Sequence, residues 1–400
     1  MKPEEVLNFV DVDYVASLTQ ALIRIPTESP APEARNDRTP MVKLITDEFK
    51  KLGLESKLLT VVEGRPNIMV EIQGDRPGPT LMLYSHTDTI EVTDQHSSLW
   101  NTDPFGADVI DGRIYGVGSA DTKGGVAGVL GAIKAIKASG IKFGGKIVIL
   151  FSTAAESAQP GGPLSLIQHN MFPKADGAIL ADSSNMQIVR TFKGRVWFEF
   201  SVYGKSAHAS DPVLGINAVE KMCDVIAALK KVRFTESPDA DLGGVTLAIT
   251  SIDGINVGSS IPARCVIKAD MRTIPGLDAD QAAKKIQSTL DDLMRKDKEL
   301  KVEMAIVPNS IKKSEQIPAD SPIVRSVAKA MEAVVGKAEY LPGVMSTGAV
   351  YFLDAGILPV FFGPGSIFNA HMPNEYVEIK GLEEATKIYV LAALDFLGTD

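Results

Sequence analysis

Thr80-Leu81-Met82-Leu83-Tyr84-Ser85-His86-Thr87-Asp88 decides the reading of this chain. Its first five residues are a strand-length apolar run, and the run ends directly in a histidine and an aspartate. The same construction recurs. Lys146–Phe151 leads into Ser152-Thr153-Ala154-Ala155-Glu156, and Asp176–Ala181 leads into Asp182. Leu358–Phe362 leads through a Gly-Pro-Gly turn towards His371. Short apolar runs bounded by turn residues read as buried strands. In open α/β sheets, ligands bind beyond the carboxyl ends of the strands. Four strands therefore deliver His, Glu, Asp and His to one sheet edge. Asp121 joins them from the Gly-rich turn Gly116–Gly125, which opens a helix over Gly124–Ser139.

Outward from these strands, Tyr14–Leu22 and Met41–Leu52 show apolar residues at helical spacing, and Asn67–Ile72 reads as another strand. The pattern changes near residue 190. Arg195–Tyr203 alternates like an antiparallel strand; a helix at Asn217–Lys230 follows, then strands at Gly244–Ile252 and Ala263–Arg272. A helix at Asp278–Lys296 and a strand at Lys301–Val307 complete the order of a ferredoxin-like α+β unit. The α/β pattern resumes with a helix at Ser321–Val335. The expected organisation is an α/β domain, 1–189 and 309–400, interrupted by an α+β insert, 190–308. The insert holds 17 Lys+Arg against 16 Asp+Glu, leaving 24 against 34 for the rest, so the acidic excess lies outside it.

The chain has 400 residues, a formal charge of −9 and 45% hydrophobic residues, which is ample for a large core and speaks against disorder. The acidic balance argues against nucleic acid as a partner. No stretch approaches the ~18 apolar residues of a membrane span. The start, MKPEEVLNFVDVDY, has acids where a signal peptide needs bases and an apolar run. With only Cys223 and Cys265, the expected location is the reducing cytoplasm.

Two histidines and three carboxylates at one edge suit a pair of zinc-like ions, because imidazole and carboxylate are the N/O ligands zinc takes. Five protein ligands serve two ions if one carboxylate bridges, and Asp121 sits on the turn between the two groups. Asp88, two residues after His86, is spaced to hydrogen-bond its ring, as partners of metal-bound histidines do. Each residue alone has a bland reading. A lone His-x-Asp is usually a surface pair, and an acid after a strand, such as Asp182, is commonly a helix N-cap. His96 and His169 read as solvated or satisfied side chains. Rival motifs fail: Gly116-Val117-Gly118 has Asp121 where a dinucleotide fingerprint needs glycine, and Gly204-Lys205-Ser206 lacks the upstream glycine of a phosphate loop. No Gly-x-Ser-x-Gly elbow is present.

In its ordered set, the chain resembles the two-metal aminoacylase, glutamate carboxypeptidase, acetylornithine deacetylase and succinyl-diaminopimelate desuccinylase family of metallopeptidases. The matching motifs are SHTDT at Ser85–Thr89, GVGSADTKGG at Gly116–Gly125, Glu156, Asp182, GKSAHAS at Gly204–Ser210 and HMPNE at His371–Glu375. The resemblance implies a mixed-sheet α/β catalytic domain with an inserted lid and dimerisation domain, hence a homodimer. It implies that His86 and Asp182 hold one ion, Glu156 and His371 the other, and that Asp121 bridges through a residue whose bond to Thr122 is cis. The ions would be zinc first, with manganese or cobalt as alternatives. Asp88 and His208 would take part in catalysis, His208 as oxyanion donor, and Arg272 would meet a substrate carboxylate. The implied reaction is hydrolysis of a peptide or N-acyl amino acid C–N bond.

Three positions depart from the family pattern. Ala155 stands where the family has the general-base acid, Ser259 where the lid usually has asparagine, and Thr347-Gly348 where many relatives have Thr-Asp. The first implies a chain impaired in turnover. All five ligands persist, which favours a single Glu→Ala replacement over scattered decay. The other readings are a non-catalytic metal- or ligand-binding relative and a hydrolytic deaminase or deformylase acting on another C–N bond.

Overall fold

The computed structural model describes residues 1–29, 37–155, 161–255, 258–308, 310–343 and 348–399. Along the chain the principal elements are α1 (Val12–Ile23), α2 (Thr39–Lys51), β1 (Lys57–Leu59), β2 (Asn67–Gln73), β3 (Arg76–His86), α3 (Gly124–Ser139), β4 (Gly144–Ser152) and β5 (Gly177–Leu180). Then follow β6 (Gly194–Tyr203), α4 (Ala218–Leu229), β7 (Thr246–Ile255), β8 (Arg264–Thr273), α5 (Ala279–Lys296) and β9 (Lys301–Ile306). The last are α6 (Pro322–Val335), β10 (Leu358–Phe361) and α7 (Ile379–Leu397). The elements divide into two units. One comprises 1–190, 317–341 and 351–400, the other 191–316 and 342–350.

The first unit is built on a six-stranded mixed sheet in the order β1-β2-β4-β3-β5-β10. β3 runs parallel to both β4 and β5, and β10 parallel to β5. Registration places the strand ends side by side: His86 is opposite Ser152, Tyr84 opposite Leu180, and Leu180 opposite Phe361. The segments leaving β3, β4, β5 and β10 thus start at one level of one edge. These strands read as continuous apolar runs because both faces are covered. Leu81, Met82, Leu83, Ile147, Val148, Ile149 and Leu150 are all fully buried.

Small residues set the helix layer. On α3, Gly128 lies against Tyr389 and Thr386 of α7, and Gly131 against Val15 of α1 and Thr386. α3 stops at Gly140, which takes the left-handed conformation (φ 67°) usual after a helix end. At the other end, a Cβ on Gly125 would stand 2.1 Å from the Ala181 carbonyl oxygen and 2.6 Å from Thr122 Oγ1. Only glycine lets the first turn of α3 approach the end of β5 this closely. α7 is not marked by amphipathic spacing. Its buried set runs Ala385, Thr386, Ile388, Tyr389, Val390, Leu391, Ala392, Ala393, Leu394, so nearly every face is covered.

The second unit is a four-stranded antiparallel sheet, β7-β8-β6-β9, with α4 and α5 packed on it. β6 explains the alternation seen in the sequence: Val196, Phe198, Phe200 and Val202 are buried, whereas Trp197 is exposed. They meet Met222, Val225 and Leu229 of α4 and Ile286 and Leu290 of α5. Asn217 caps α4 by accepting from Val219 N–H at 3.1 Å, and Asp278 with Gln281 forms a capping box on α5. This is the expected ferredoxin-like arrangement.

Replacing Gly125 by alanine should cost about 1–3 kcal/mol of stability, the usual range for an overpacked site. Urea unfolding of the metal-free protein checks this, and an unchanged midpoint would contradict the close approach.

Candidate metal centre

His86 ends β3, and its Nε2 lies 3.3 Å from Asp121 Oδ1 and 3.8 Å from Asp182 Oδ2. The other Asp121 oxygen, Oδ2, lies 3.2 Å from His371 Nε2. One carboxylate therefore sits between two imidazoles and offers an oxygen to each. Donor atoms of His86, Asp121 and Asp182 all lie within 4.8 Å of one another. Glu156, expected as a further ligand, lies outside the described residues.

The loops carrying these side chains are tied together. Ser85 Oγ and Thr122 Oγ1 both donate to the Ala181 carbonyl, at 2.9 and 2.8 Å, which fixes the turn into Asp182. Asp182 Oδ1 accepts from Ser183 N–H at 2.6 Å. The Asp121–Thr122 peptide bond is cis, as the family resemblance implies. His371 adopts φ 64°, a conformation uncommon for a residue with a side chain and enriched at functional sites. Its side chain is about half exposed (47%), whereas His86 is buried.

Asp88 departs from expectation in detail. His86 Nδ1 hydrogen-bonds to the Asp88 main-chain oxygen, which accepts at 3.1 Å, while the Asp88 carboxylate Oδ1 stands 3.5 Å away. Both carboxylate oxygens instead accept from Ala155 N–H at 2.9 Å. Asp88 is thus a partner of the Nδ1 side of the ring, opposite the Nε2 side that faces Asp121, and it holds the backbone at 155.

Sequence reading assigned no role to two buried charges beside the centre. Glu375, the last residue of HMPNE, accepts from Gly118, Ala120 and Asp121 N–H at 3.0, 2.8 and 3.0 Å. Lys123, fully buried, donates to the Ile25 carbonyl at 2.9 Å. Burial pulls its ammonium down to about 7, opposed first by Glu375. Burial pushes Glu375 up to about 8, against the pull of its three N–H donors and with the Asp121 carboxylate adding to the rise. The acid of HMPNE and the lysine after Asp121-Thr122 were visible in the sequence; which backbone groups they meet was not.

The donor set fits divalent ions. Two atoms each about 2.0–2.1 Å from a tetrahedral ion stand roughly 3.3–3.4 Å apart, close to the His86–Asp121 separation. Asp121 Oδ1 is buried and, despite its proximity to His86, makes no hydrogen bond among the described residues. A buried carboxylate oxygen left so is costly unless a cation meets it. The charge balance agrees. Burial alone would lower the His86 pKa, but Asp121, Asp88 and Asp182 outweigh it and hold it well above 6.5. Burial raises Asp121, and the two imidazoles more than reverse this, leaving it far below the usual carboxylate range.

His208 and Arg272 belong to the second unit. His208 is exposed; its Nδ1 accepts from Ser210 N–H at 3.2 Å and lies 2.7 Å from Ser210 Oγ. Arg272 donates to Asp270 through Nε at 2.7 Å and Nη2 at 3.0 Å, and Trp197 Nε1 donates to the same carboxylate at 2.8 Å.

Residues 82–395 match the model of peptidase family M20/M25/M40, so the chain belongs to this family of metallohydrolases. It is 29% identical over 381 residues to an acetylornithine deacetylase of Buchnera aphidicola, covering 92% of this chain and 94% of that protein. Its fold is similar to human carnosine dipeptidase 1 (TM-score 0.75, 18% identity, 99% and 98% of the two chains). It is likewise similar to an M20 family metallo-carboxypeptidase of Sulfolobus solfataricus (TM-score 0.76, 20% identity, 96% and 99%). A third similar structure is a Bacillus subtilis protein described as a dinuclear metal binding peptidase of the M20 family (TM-score 0.72, 16% identity, 97% and 99%).

A proton on His86 and a metal ion compete for the same imidazole. In the metal-free protein the raised pKa contributes stability that is full below 6.5 and lost as pH rises through the folded-state value. Zinc uptake should therefore release protons at about pH 7. Calorimetric titration in two buffers of different ionisation enthalpy measures this, and equal apparent heats would contradict it.

Proposed function

We propose that this member of the M20/M25/M40 family is a two-metal amide hydrolase of the peptidase or deacylase type, with its general-base position vacant at Ala155. The observation that carries the reading is the Asp121 carboxylate, with one oxygen turned to His86 and the other to His371. His86 and Asp182 would hold one ion and His371 with Glu156 the other, Asp121 bridging. The ions, zinc by the chemistry of this N/O set, would acidify a shared water and polarise the substrate carbonyl.

The remaining steps fall to side chains. A carboxylate at 155 would take the proton from the water and pass it to the leaving nitrogen; the methyl of Ala155 cannot. Asp88 is an unsuitable substitute, since its carboxylate is fully buried on the Nδ1 side of His86 and engaged by Ala155 N–H. His208, with Nδ1 accepting from Ser210 N–H, carries its proton on Nε2 when neutral, and that N–H suits a developing oxyanion. Arg272, with Nε and Nη2 engaged by Asp270, would meet a substrate carboxylate through Nη1. The substrate class is a peptide or N-acyl amino acid. The free thiols Cys223 and Cys265 suit a reducing compartment such as the cytoplasm.

Assembly as a homodimer belongs to the same reading. β7 is an edge strand, and Ile252 and Ile255 on it are 54% and 47% exposed. Exposed apolar edges are usually paired or covered. Light scattering should give the mass of a dimer; a monomer at working concentrations would remove this part of the proposal.

Ala155→Glu tests the chemistry. Restoring a general base should raise kcat by about 10²–10⁴ on N-acyl amino acids or dipeptides. KM should change much less, because the base acts in the transition state. A gain below about tenfold across the panel would show that position 155 is not the vacant base and would favour a non-catalytic binding role.

A further inference from the structure

We infer that Glu375 is a positioning residue for the metal centre: its buried carboxylate sets the orientation of the bridging Asp121 through the backbone that carries it. The inference rests on the two-metal reading above. Glu375 Oε1 accepts from both Ala120 and Asp121 N–H, and Oε2 accepts from Gly118 N–H. Successive N–H groups converging on one anion form a concave backbone site of the kind that binds carboxylate or phosphate. Gly118 supplies the turn, with φ 80°, and the glycine is required there because a Cβ would stand 2.5 Å from the Thr89 side chain. The Glu375 main-chain oxygen accepts from Gly116 N–H at 2.9 Å, so residue 375 grips both ends of the turn.

The carboxylate contributes nothing to the donor set directly. It is 1% exposed, and all three of its hydrogen bonds go to the loop. What it fixes is the direction in which Asp121 leaves the chain, and hence how its two oxygens divide between His86 and His371. Only three residues separate Glu375 from His371, so one short segment both supplies a candidate ligand and braces the bridge. Lys123, at the start of α3, is held in the same buried layer by the hydrogen bond from its Nζ to the Ile25 carbonyl.

The test uses the full chain with zinc as the probe. Wild type, Glu375→Gln and Glu375→Asp are stripped of metal, their unfolding is followed in urea, and zinc affinity is measured by competition with a chromophoric chelator. Glutamine sets an NH2 group against at least one backbone N–H; aspartate keeps the carboxyl group but withdraws it by one methylene. Both variants should unfold cooperatively and bind zinc about 10–100-fold more weakly, the usual consequence of losing an outer partner of a metal ligand. A residue needed only for packing would lower the unfolding midpoint and leave the affinity of the folded protein unchanged. Either variant folding with wild-type zinc affinity overturns the inference, as does failure of both to fold, which would make Glu375 a folding residue. If wild type itself binds no zinc, the two-metal reading fails instead.

Discussion

The carboxylate of Asp121 stands between two imidazoles in a largely buried setting, and the first unit is arranged around keeping it there. Three acids, Asp88, Asp121 and Asp182, surround His86. Without a cation, the protein compensates by holding a proton on His86. With cations, the same geometry is a ready donor set. The parallel, registered strands make the arrangement cheap in conformational entropy, because each side chain leaves a fixed strand end at the same level as its neighbours.

Support comes from residues that hold the loops rather than offer donors to an ion. Glycines 118 and 125 allow backbone approaches that a Cβ would block, and the Ala181 carbonyl collects hydroxyl donors from Ser85 and Thr122. Asp88 holds the ring of His86 through its main chain and the backbone of Ala155 through its side chain. The main chain at position 155 is thereby tied to the loop that follows β3.

Much of this was legible in the sequence, for physical reasons. Strands covered on both faces are apolar without interruption, so β3, β4 and β5 stand out, and the polar residue that ends each run marks the functional edge. α3 was found over its full length because its small residues and Gly140 bound it. α7 was not, because burial on nearly all sides erases the amphipathic signature and no turn residue separates it from the preceding strand Tyr376–Glu378. The two-residue spacing of His86 and Asp88 predicted contact but not which oxygen makes it. Glu375 lay in a recognised motif, yet its partner Ala120 is 255 residues away in sequence, and a backbone N–H has no letter of its own.

The central claim is a pair of ions divided by Asp121. Anomalous diffraction from crystals grown with zinc tests it most directly. The account predicts two peaks, one beside His86 and Asp182 and one beside His371, with an Asp121 oxygen directed at each. A single peak, or two peaks away from Asp121, would contradict it.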